Sequence, residues 1–440
     1  MARFDGRQPD EGRAIHIIPG FVRTADGSCL ISTGNTRVIC TASIDESVPP
    51  FLRGKKQGWV TAEYAMLPAS TGRRKQRDGI KKDGRSVEIQ RLIGRSLRQA
   101  VDLKMLGERS ITIDCDVLEA DGGTRTASIT GGYVALCLAI AKLIKEGKLP
   151  FSPIMHQVAA VSCGVVGETP CLDLCYQEDS KAQVDMNLVM NEKGEFIELQ
   201  GTGEGRAFTP KELQALMAYG EKGIRELMAA QKEALGEDAQ YICAKPALIA
   251  ASGNPHKILE LKHLFKDFFQ VASMHDVGYD EDIVEDGETF TENAAIKADA
   301  VCAATGFDAI ADDSGLTVEA LGGAPGVYSA RYCGVHGEDE KNNDLLLENM
   351  KDITNRNCAF VSALAWARPG KKTLTVEGVC PGQLLYARQG TGGFGYDPLF
   401  MYETGKTYAE MNQEEKNACS HRARAAAKMQ QVMAKELQER

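Results

Sequence analysis

The hydrophobic positions of the chain follow two different periods. Four segments in its first half alternate apolar and polar residues, a pattern that predicts strands; they are residues 14–18, 27–32, 36–42 and 111–117. Three further segments carry apolar residues at helical spacing and predict helices; these begin at Ser86, at about Thr126 and at Pro210. Strands and helices are therefore mixed, as in the α/β class.

A domain boundary is predicted near the middle of the chain. The helical pattern from Pro210 continues to Leu235 and is broken by residues 236–240, and a new apolar strand follows Pro246. A chain of 440 residues is also too long for one ordinary core, because domains usually have about 150 residues. We therefore predict two domains, residues 1–240 and residues 247–440.

Composition narrows the class of protein. Hydrophobic residues make up 43% of the chain and charged residues 25%, as in soluble globular proteins. No apolar run approaches the ~20 residues that span a bilayer, and the N-terminus has no apolar signal segment, so we expect a cytoplasmic protein with no membrane partner. The 13 cysteines are scattered, and none forms a Cys-x-x-Cys pair, which favours reduced thiols over disulfides or zinc sites.

The net charge limits how the chain could bind nucleic acid. A formal charge of −10 argues against broad, unspecific binding, so contact with a polyanion requires a local basic patch. One run of cations is a candidate; its members are Arg73, Arg74, Lys75, Arg77, Lys81 and Lys82. Such runs are usually solvated loops, and the alternative is contact with a phosphate backbone. The sequence alone leaves both interpretations open.

A candidate anion site follows the predicted strand of residues 111–117. There the sequence Ala-Asp-Gly-Gly-Thr-Arg opens a long apolar helix. The N–H groups and dipole of a helix N-terminus attract anions, so Gly123, Thr124 and Arg125 are predicted to bind phosphate, with Arg85 as a second, isolated arginine. The plainer alternative is that the glycines only make the turn.

Residues 172–187 supply candidate acids. Two alternating apolar runs each end in an acid, which predicts that Asp179 and Asp185 face one another across a tight strand connection, where paired carboxylates hold a metal ion or move a proton. Acids at strand ends are otherwise usually solvated. Phosphate that is held by arginines and attacks a phosphodiester, with a carboxylate placing a proton or Mg²⁺ at the leaving oxygen, would be phosphorolysis.

Residues 1–240 resemble ribonuclease PH along their whole length. The matching segments are residues 3–7, 58–68, 88–98, 114–117, 120–125, 172–187 and 200–205. The resemblance implies layered βαβ-type units, a hexameric ring and phosphate-dependent trimming of the 3′ ends of transfer RNA, which releases nucleoside diphosphates. Two departures, Gln177 where an acid is usual and Ala14 where proline is expected, remove no proposed catalytic group.

The same resemblance implies a role for each candidate residue. It assigns phosphate binding to Arg85, Gly123, Thr124 and Arg125. It assigns the acid or metal-binding role to Asp179 and Asp185. Five arginines would face RNA or a subunit contact, namely Arg73, Arg74, Arg77, Arg91 and Arg95.

The second half contains two motifs that suggest a phosphate and metal site. Residues 252–257, Ser-Gly-Asn-Pro-His-Lys, join a strand to a helix start with a lysine suited to terminal phosphates; the alternative is an ordinary helix cap with a surface lysine. Further on, Asp312 and Asp313 end a predicted strand. They either begin a turn or bind Mg²⁺ together with Glu285 or Glu292.

Two later motifs suggest a site for a planar base. The glycine-rich residues 392–398 combine close backbone approach with an aromatic face, and Ser420, His421 and Arg422 look like a capped helix start with donors for a ring carbonyl. Donors directed at a purine 6-oxo group reject adenine, because its exocyclic amine leaves them unpaired. The motifs therefore predict selectivity for oxo-purines.

In this order the four motifs resemble the pyrophosphatases that hydrolyse inosine, deoxyinosine and xanthosine triphosphates to monophosphate and pyrophosphate. Residues 289–294, 321–332 and 414–417 extend the match, and Ser252 stands where threonine is frequent. The resemblance implies an elongated α/β domain with a central cleft, and Asp313 as the metal-bound base that activates water. Triphosphate binding is assigned to Ser252, Gly253, Asn254, Pro255, His256, Lys257 and Lys416. Nucleoside binding is assigned to Ser314, Phe394, Gly395, Tyr396, Asp397, His421 and Arg422.

The sequence therefore predicts a bifunctional enzyme that uses Mg²⁺, bound by Asp313, Glu285, Asp179 and Asp185. Its expected partners are RNA, inorganic phosphate and purine nucleoside triphosphates, and its first half is expected to form a homo-hexamer. Two alternatives stay open. The first half could be a catalytically silent RNA-binding ring, which the retention of its arginines and acids disfavours, and the second half could be a nucleotide sensor.

Overall fold

The computed structural model describes residues 3–77 and 83–438, so Lys81 and Lys82 of the basic run lie outside the described residues. Its contacts divide the chain into two compact units, Met1–Lys245 and Pro246–Arg440. Each unit has its own sheets and its own hydrophobic core. The predicted α/β class, a mixture of helices and sheets, is confirmed.

The first sheet of the first unit has five strands: β1 (Ile15–Pro19), β2 (Gly27–Thr33), β3 (Thr36–Asp45), β4 (Trp59–Met66) and β5 (Ser110–Glu119). Their order is β1-β2-β3-β5-β4, and neighbours are antiparallel except β4 and β5. Helices α1 (Gly84–Arg98) and α2 (Leu103–Leu106) connect these two parallel strands, and α3 (Thr124–Lys145) follows β5. A 3-10 helix, Pro50–Leu52, precedes β4.

Helix α3 forms the centre of this unit. It contacts strands β2 and β3 closely, because a Cβ on Gly131 would lie 2.7 Å from Cγ2 of Ile31. By length and composition α3 could cross a membrane, which corrects the expectation that no apolar segment is long enough. However, 83% of its apolar window is buried inside the unit, which is typical of a core helix.

The second sheet of this unit has four strands: β6 (Val158–Val166), β7 (Thr169–Leu172), β8 (Val184–Asn191) and β9 (Phe196–Thr202). They are antiparallel in the order β7-β6-β8-β9. The predicted helix from Pro210 is α5 (Pro210–Leu235), which packs on this sheet through Leu216, Ile224 and Leu227. The 3-10 helix Gly236–Tyr241 follows it.

The connection between β7 and β8 differs from the predicted strand connection. Asp179 ends a single helical turn, α4 (Tyr176–Asp179), whereas Asp185 lies in β8. The turn forms because the Glu178 carboxylate accepts a hydrogen bond from the backbone N–H of Cys175 at 3.2 Å, which closes a capping box. The alternating pattern of residues 172–179 therefore does not continue as a strand.

The second unit is built on a six-stranded sheet. Its strands are β10 (Ala247–Ala250), β11 (Gln270–Ser273), β12 (Asp308–Val318), β13 (Asn357–Ala367), β14 (Leu374–Leu384) and β15 (Phe400–Met401), in the order β11-β10-β12-β13-β14-β15. Strand β10 is parallel to β11 and β12, and the other pairs are antiparallel. The helices are α6 (Pro255–Phe265), α7 (Phe290–Thr305), α8 (Asp339–Asn349), α9 (Gln413–Cys419) and α10 (His421–Gln438), with 3-10 helices at His275–Val277, Glu319–Leu321, Gly326–Arg331 and Asp397–Leu399.

Asp312 and Asp313 lie inside strand β12, which corrects the prediction that they end a strand. The strand places the two acids on opposite faces of the sheet. Successive side chains of a strand point to opposite faces, so Asp312 and Asp313 meet different helices. Asp312 contacts residues of α6 and α10, whereas Asp313 contacts a lysine of α7. Asp312 and Asp313 are adjacent in sequence but therefore pair with different cations.

Candidate active sites

The predicted phosphate loop of the first unit joins β5 to α3. Gly122 and Gly123 have φ angles of +77° and +67°, a left-handed conformation that glycine adopts without strain. A Cβ on Gly122 would lie 2.5 Å from the carbonyl oxygen of Leu174, so the loop packs directly against the segment that leads to Asp179. Helix α3 begins at Thr124, and its first backbone N–H groups are available to an anion.

Two arginines and a pair of hydroxyls lie around this helix start. The hydroxyl oxygens of Thr124 and Tyr64 are 2.8 Å apart. Arg125 donates from Nη1 to Oε1 of Gln200 at 3.2 Å, while Arg85 is exposed in the first turn of α1. Burial raises the pKa of Tyr64, and the charges of Arg85 and Arg125 oppose that rise. The charges of both arginines therefore reach the Tyr64 hydroxyl.

Asp179 and Asp185 belong to the same electrostatic environment. Both are half-buried, and burial raises the pKa of each carboxyl. The charge of Asp179 raises the pKa of Asp185 further, whereas the charges of Arg85 and Arg125 oppose the rise for both acids. Within the described ranges neither carboxylate accepts a hydrogen bond, which leaves both acids able to take a proton or a cation.

The arginines predicted to contact RNA are all on the surface. Arg73, Arg74 and Arg77 are exposed in the loop after β4. Arg91 and Arg95 are exposed on α1, and Arg95 forms an ion pair with Glu198 of β9 at 2.8 Å. The charge of Arg95 is therefore partly compensated within the unit, and the RNA role of all five residues stays a prediction.

In the second unit the predicted phosphate loop, residues 252–257, joins β10 to α6. Asn254 is the helix cap, because its Oδ1 accepts hydrogen bonds from the backbone N–H groups of His256 at 2.9 Å and Lys257 at 3.3 Å. Pro255 takes the first helical position, and Ser252 accepts a hydrogen bond from the N–H of Asn254 at 3.2 Å. The cap and the phosphate loop are thus the same segment.

Asp312 is the centre of a buried charge cluster. Its carboxylate lies 2.7 Å from Nζ of Lys257 and 3.2 Å from Nη2 of Arg422, and it accepts hydrogen bonds from Ser362 at 2.5 Å and Ser314 at 3.0 Å. Burial opposes ionisation, but the charges of Arg422 and Lys257 outweigh it and hold the pKa of Asp312 well below its usual range. Arg422 also pairs with Glu260 of α6.

Asp313 has a different environment. Its Oδ1 lies 3.2 Å from Nζ of Lys297, and that lysine also contacts Glu285 at 3.1 Å. Its Oδ2 is buried and has no hydrogen-bond partner within the described residues. Burial raises the pKa of Asp313, although the charge of Lys297 opposes the rise. Glu292, the alternative metal ligand, instead caps α7 by accepting from the N–H groups of residues 288 and 289.

The glycine-rich loop of residues 392–398 contributes an aromatic face. The rings of Phe394 and His256 are stacked with centroids 5.6 Å apart, and Nζ of Lys416 lies 5.4 Å from the Phe394 ring centre. Lys416 also forms an ion pair with Asp397 at 2.7 Å. Phe394, His256 and Lys416 line an open pocket together with Leu259, Glu260, His263, Gly393, Met411, Glu414 and Ala418.

Four predicted nucleoside contacts are buried, namely Tyr396, Asp397, His421 and Arg422. Tyr396 is buried, and its hydroxyl donates to the carbonyl oxygen of Ser329 at 2.9 Å. His421 is stacked on Phe360, with ring centroids 4.8 Å apart, and burial lowers its pKa well below the usual range, so it is neutral. Tyr396 therefore supports the loop rather than lining the pocket.

Sequence reasoning missed several residues of both sites. Lys297 was recognisable as a single lysine in the apolar run of α7, on the face that is buried. Ser362 and Glu260 gave no such signal, because each is an ordinary polar residue far in sequence from Asp312. In the first unit, the hydroxyl of Tyr64 was not anticipated, although its segment was part of the resemblance.

Comparisons with known proteins match the first and second parts of the chain to different families. The model of the 3′ exoribonuclease family, domain 1, matches residues 11–141, that of domain 2 matches residues 156–223, and that of the Ham1 family matches residues 248–432. Ribonuclease PH of Corynebacterium glutamicum is 59% identical over 238 residues, which are 54% of this chain and 97% of that protein.

Two solved structures are similar to the second part of the chain. The Ham1 protein of Staphylococcus aureus is 37% identical, with a TM-score of 0.40, over 44% of this chain and 100% of that one. The nucleoside-triphosphatase / dITP/XTP pyrophosphatase of Mycobacterium abscessus is 42% identical, with a TM-score of 0.37, over 42% of this chain and 98% of that one. The chain therefore belongs to the ribonuclease PH family in its first unit and to the Ham1 family in its second.

Proposed function

We propose that the first unit is a phosphate-dependent 3′-to-5′ exoribonuclease that trims the 3′ ends of transfer RNA and releases nucleoside diphosphates. One observation supports this most strongly. The helix start at Thr124 and the cations Arg85 and Arg125 share one electrostatic environment with two half-buried acids, Asp179 and Asp185. An attacking anion and a carboxylate are the two groups that phosphorolysis must bring together.

The reaction defines what each group would do. An oxygen of inorganic phosphate attacks the last phosphodiester, and the bond from that phosphorus to the 3′ oxygen of the preceding nucleotide breaks. A nucleoside 5′-diphosphate leaves, and the shortened RNA takes up a proton at its new 3′ oxygen. Arg85, Arg125 and the start of α3 would hold the attacking phosphate, while Asp179 or Asp185, with a pKa raised by burial, would place a proton near the leaving oxygen.

A phosphate-dependence assay tests this proposal. RNA with a transfer-RNA 3′ extension is incubated with the protein in the presence and absence of inorganic phosphate, and the products are separated by chromatography. We expect shortening only with phosphate, and nucleoside diphosphates as products. Release of monophosphates would show a hydrolytic nuclease and refute phosphorolysis, and no shortening at all would favour a catalytically silent RNA-binding ring.

For the second unit we propose hydrolysis of inosine, deoxyinosine and xanthosine triphosphates to the monophosphate and pyrophosphate. The observation that carries this proposal is the carboxyl group of Asp313, which has one buried, unpartnered oxygen and lies beside Lys297. As a base it would take a proton from the water that attacks the α-phosphorus, the bond from that phosphorus to the oxygen it shares with the β-phosphorus would break, and pyrophosphate would leave. Lys257 and Lys416 are placed at the helix start and pocket where phosphates would bind.

The charges around Asp312 and Asp313 support the proposal that a divalent cation takes part. Four cations lie around Asp312, Asp313 and the open pocket, namely Lys257, Lys297, Lys416 and Arg422, and each is already paired with at least one of the acids Glu260, Glu285, Asp312, Asp313 and Asp397. The formal charge of these nine groups is slightly negative. A triphosphate would therefore add negative charge to a site without spare positive charge, which a divalent cation would offset.

We propose Mg²⁺ for both units. Mg²⁺ prefers hard oxygen ligands. In the second unit these would be Oδ2 of Asp313 and the nearby Glu285, and in the first unit they would be Asp179 and Asp185. No group of three or more metal-binding side chains occurs in the part of the chain that the structure describes, so phosphate oxygens would complete the shell. When bound, Mg²⁺ would supply charge stabilisation at phosphoryl oxygens.

Pyrophosphate release from inosine triphosphate, with and without Mg²⁺, tests the second proposal. We expect release that needs Mg²⁺ and is much slower for adenosine triphosphate, because an amine leaves oxo-directed donors unpaired. Binding of inosine triphosphate without pyrophosphate release would instead favour a nucleotide sensor.

We further propose that the first unit forms a homo-hexamer. Light scattering at micromolar concentration should then give six times the chain mass of 47.7 kDa. A monomer at that concentration would refute the ring.

A further inference from the structure

A buried ion pair of the first unit joins the phosphate loop to the segment that carries Asp179. Arg13 is 8% exposed and Asp173 is 5% exposed. The guanidinium of Arg13 donates from Nη2 to Oδ1 of Asp173 at 2.6 Å and from Nε to Oδ2 at 2.9 Å. The backbone N–H of Arg13 also donates to that Oδ2 at 2.8 Å. The pair is therefore bidentate and fixed from the backbone as well.

The same guanidinium contacts the phosphate loop. Arg13 donates from Nη1 to the carbonyl oxygen of Asp121 at 2.5 Å and from Nη2 to that of Gly122 at 3.4 Å. A Cβ on Gly123 would lie 3.1 Å from Nη2. One side chain thus reaches both the loop that starts α3 and the acid six residues before Asp179.

Asp173 occupies an unusual backbone position. Its φ angle is +53°, and a non-glycine residue in this region is uncommon and usually held by its surroundings. Here its N–H donates to the carbonyl oxygen of Ser162 at 2.7 Å, and Arg13 holds its carboxylate. The chain therefore changes direction at Asp173 under the control of Arg13, directly ahead of α4.

A second arginine fixes the helical turn α4 itself. Arg3 donates to both carboxylate oxygens of Glu178, at 2.8 Å and 2.6 Å, and to the carbonyl oxygen of Leu172 at 2.7 Å. Glu178 immediately precedes Asp179. With Arg13 on Asp173 and Arg3 on Glu178, the turn is held at both ends while the carboxylate of Asp179 accepts no hydrogen bond from the described residues.

We propose that Arg13 and Asp173 are a positioning pair that sets the separation between the phosphate held at Gly123 and Thr124 and the acidic turn of Asp179. The inference rests on the proposed phosphorolytic function, and it assigns no contact with substrate to either residue. Displacement of a reacting group by about 1 Å can cost about a hundredfold in rate, so a loosened pair affects chemistry before it unfolds the unit.

A purely structural pair would behave differently. Weakening it would lower stability and the amount of folded enzyme, but the folded molecules would keep the same KM for phosphate. A positioning pair predicts a higher KM for phosphate and a lower kcat, with the KM for RNA unchanged, because only the phosphate loop and the acidic turn move. The split between the two KM values therefore distinguishes the roles.

The experiment uses the full-length chain with Arg13→Lys, which keeps the charge but loses the bidentate geometry, and Asp173→Asn, which keeps the shape but loses the charge. Kinetics of RNA shortening are measured against phosphate and against RNA, alongside melting temperatures. We expect either variant to raise the KM for phosphate at least about fivefold and to lower kcat about ten- to a hundredfold. The kinetic loss of the double variant should be no larger than that of the more impaired single variant, because every one of the three variants loses the same interaction.

Arg225→Gln is the matched control. Arg225 forms an exposed ion pair with Glu221 at 2.6 Å on α5 of the same unit, so its loss should leave both KM values unchanged. If the wild-type chain shows no phosphate-dependent shortening, the proposed function fails. If the wild type is active and both variants keep its KM for phosphate, or if neither variant folds, the pair is structural and this inference is overturned.

Discussion

Replacing Asp312 by asparagine should destabilise the second unit. Asp312 is 1% exposed and lies between two cations, the buried Arg422 at 3.2 Å and Lys257 at 2.7 Å, whose side chain is 15% exposed. Its pKa is held well below the usual range, so the carboxylate is charged at neutral pH. Asparagine has nearly the same shape but removes the negative charge that the two cations share.

The expected loss of unfolding free energy depends on which partners Lys257 and Arg422 keep. Removing one partner of a buried ion pair costs about 3–5 kcal/mol, because the other charge stays buried and unpaired. Arg422 keeps its ion pair with Glu260, whereas Lys257 loses its ion pair and, among the described residues, keeps the backbone carbonyl oxygen of residue 312 at 3.4 Å. The loss therefore comes mainly from Lys257, and we expect about 3 kcal/mol, near the lower end of that range.

Tryptophan fluorescence can report this unit alone. The chain has two tryptophans, Trp59 in the first unit and Trp366, fully buried in the second, so Trp59→Phe leaves one reporter. Urea unfolding of Asp312→Asn in that background gives the change in unfolding free energy. Asp299→Asn, an exposed acid on α7, is the matched control and should change stability by less than about 0.5 kcal/mol. Equal stability of the Asp312 variant and its parent would refute the reasoning.

Three other predictions concern separate parts of the chain. Tyr64→Phe removes the partner of Thr124 and should raise the KM for phosphate about threefold to tenfold, the effect of one lost hydrogen bond of about 1 kcal/mol, measured by RNA shortening; an unchanged KM would show that the phenol does not orient the site. Lys297→Met removes the ammonium group that lies 3.2 Å from Asp313 and opposes the rise of its pKa, so less of the carboxyl is ionised as a base and pyrophosphate release at saturating Mg²⁺ should fall about a hundredfold. Full activity would contradict the role given to this lysine. The hydrogen bond from Arg206, together with those that close the capping box of α5, lowers the pKa of Glu212 to about 2, so the stabilisation is present above the unfolded value of about 4.3 and is lost as pH falls towards 2. The melting temperature of Glu212→Gln should therefore lie below that of the wild type at pH 7 and approach it in acid, and a difference that is constant with pH would refute the assignment.

Much of the fold could be predicted from local patterns. Helix α5 has a threonine cap, a proline at its first position and apolar residues at helical spacing, so its bounds were predicted as observed. The paired strands β2 and β3 followed from alternation and the turn at Gly34. Helix α4 could not be recognised, because its single turn depends on a capping hydrogen bond and on Arg3, which is 175 residues from Glu178.

For the candidate sites, too, local features could be predicted from the sequence and long-range contacts could not. The loops that start α3 and α6 were predicted because glycine-rich or capping residues before a helix are local signals. The opposite orientation of Asp312 and Asp313 follows from strand geometry, but the cations that each meets lie on helices distant in sequence. The ion pair of Arg13 and Asp173 could not be predicted, because the two residues are far apart in sequence and meet only in the folded unit.

The central claim is that each unit carries its own phosphoryl-transfer site, built from acids beside cations. The most direct measurement assays Asp185→Asn and Asp313→Asn for both activities, phosphate-dependent RNA shortening and pyrophosphate release from inosine triphosphate, in the same preparations. The account predicts that Asp185→Asn loses only the first activity and Asp313→Asn loses only the second. Retention of RNA shortening by Asp185→Asn, or of pyrophosphate release by Asp313→Asn, would contradict it.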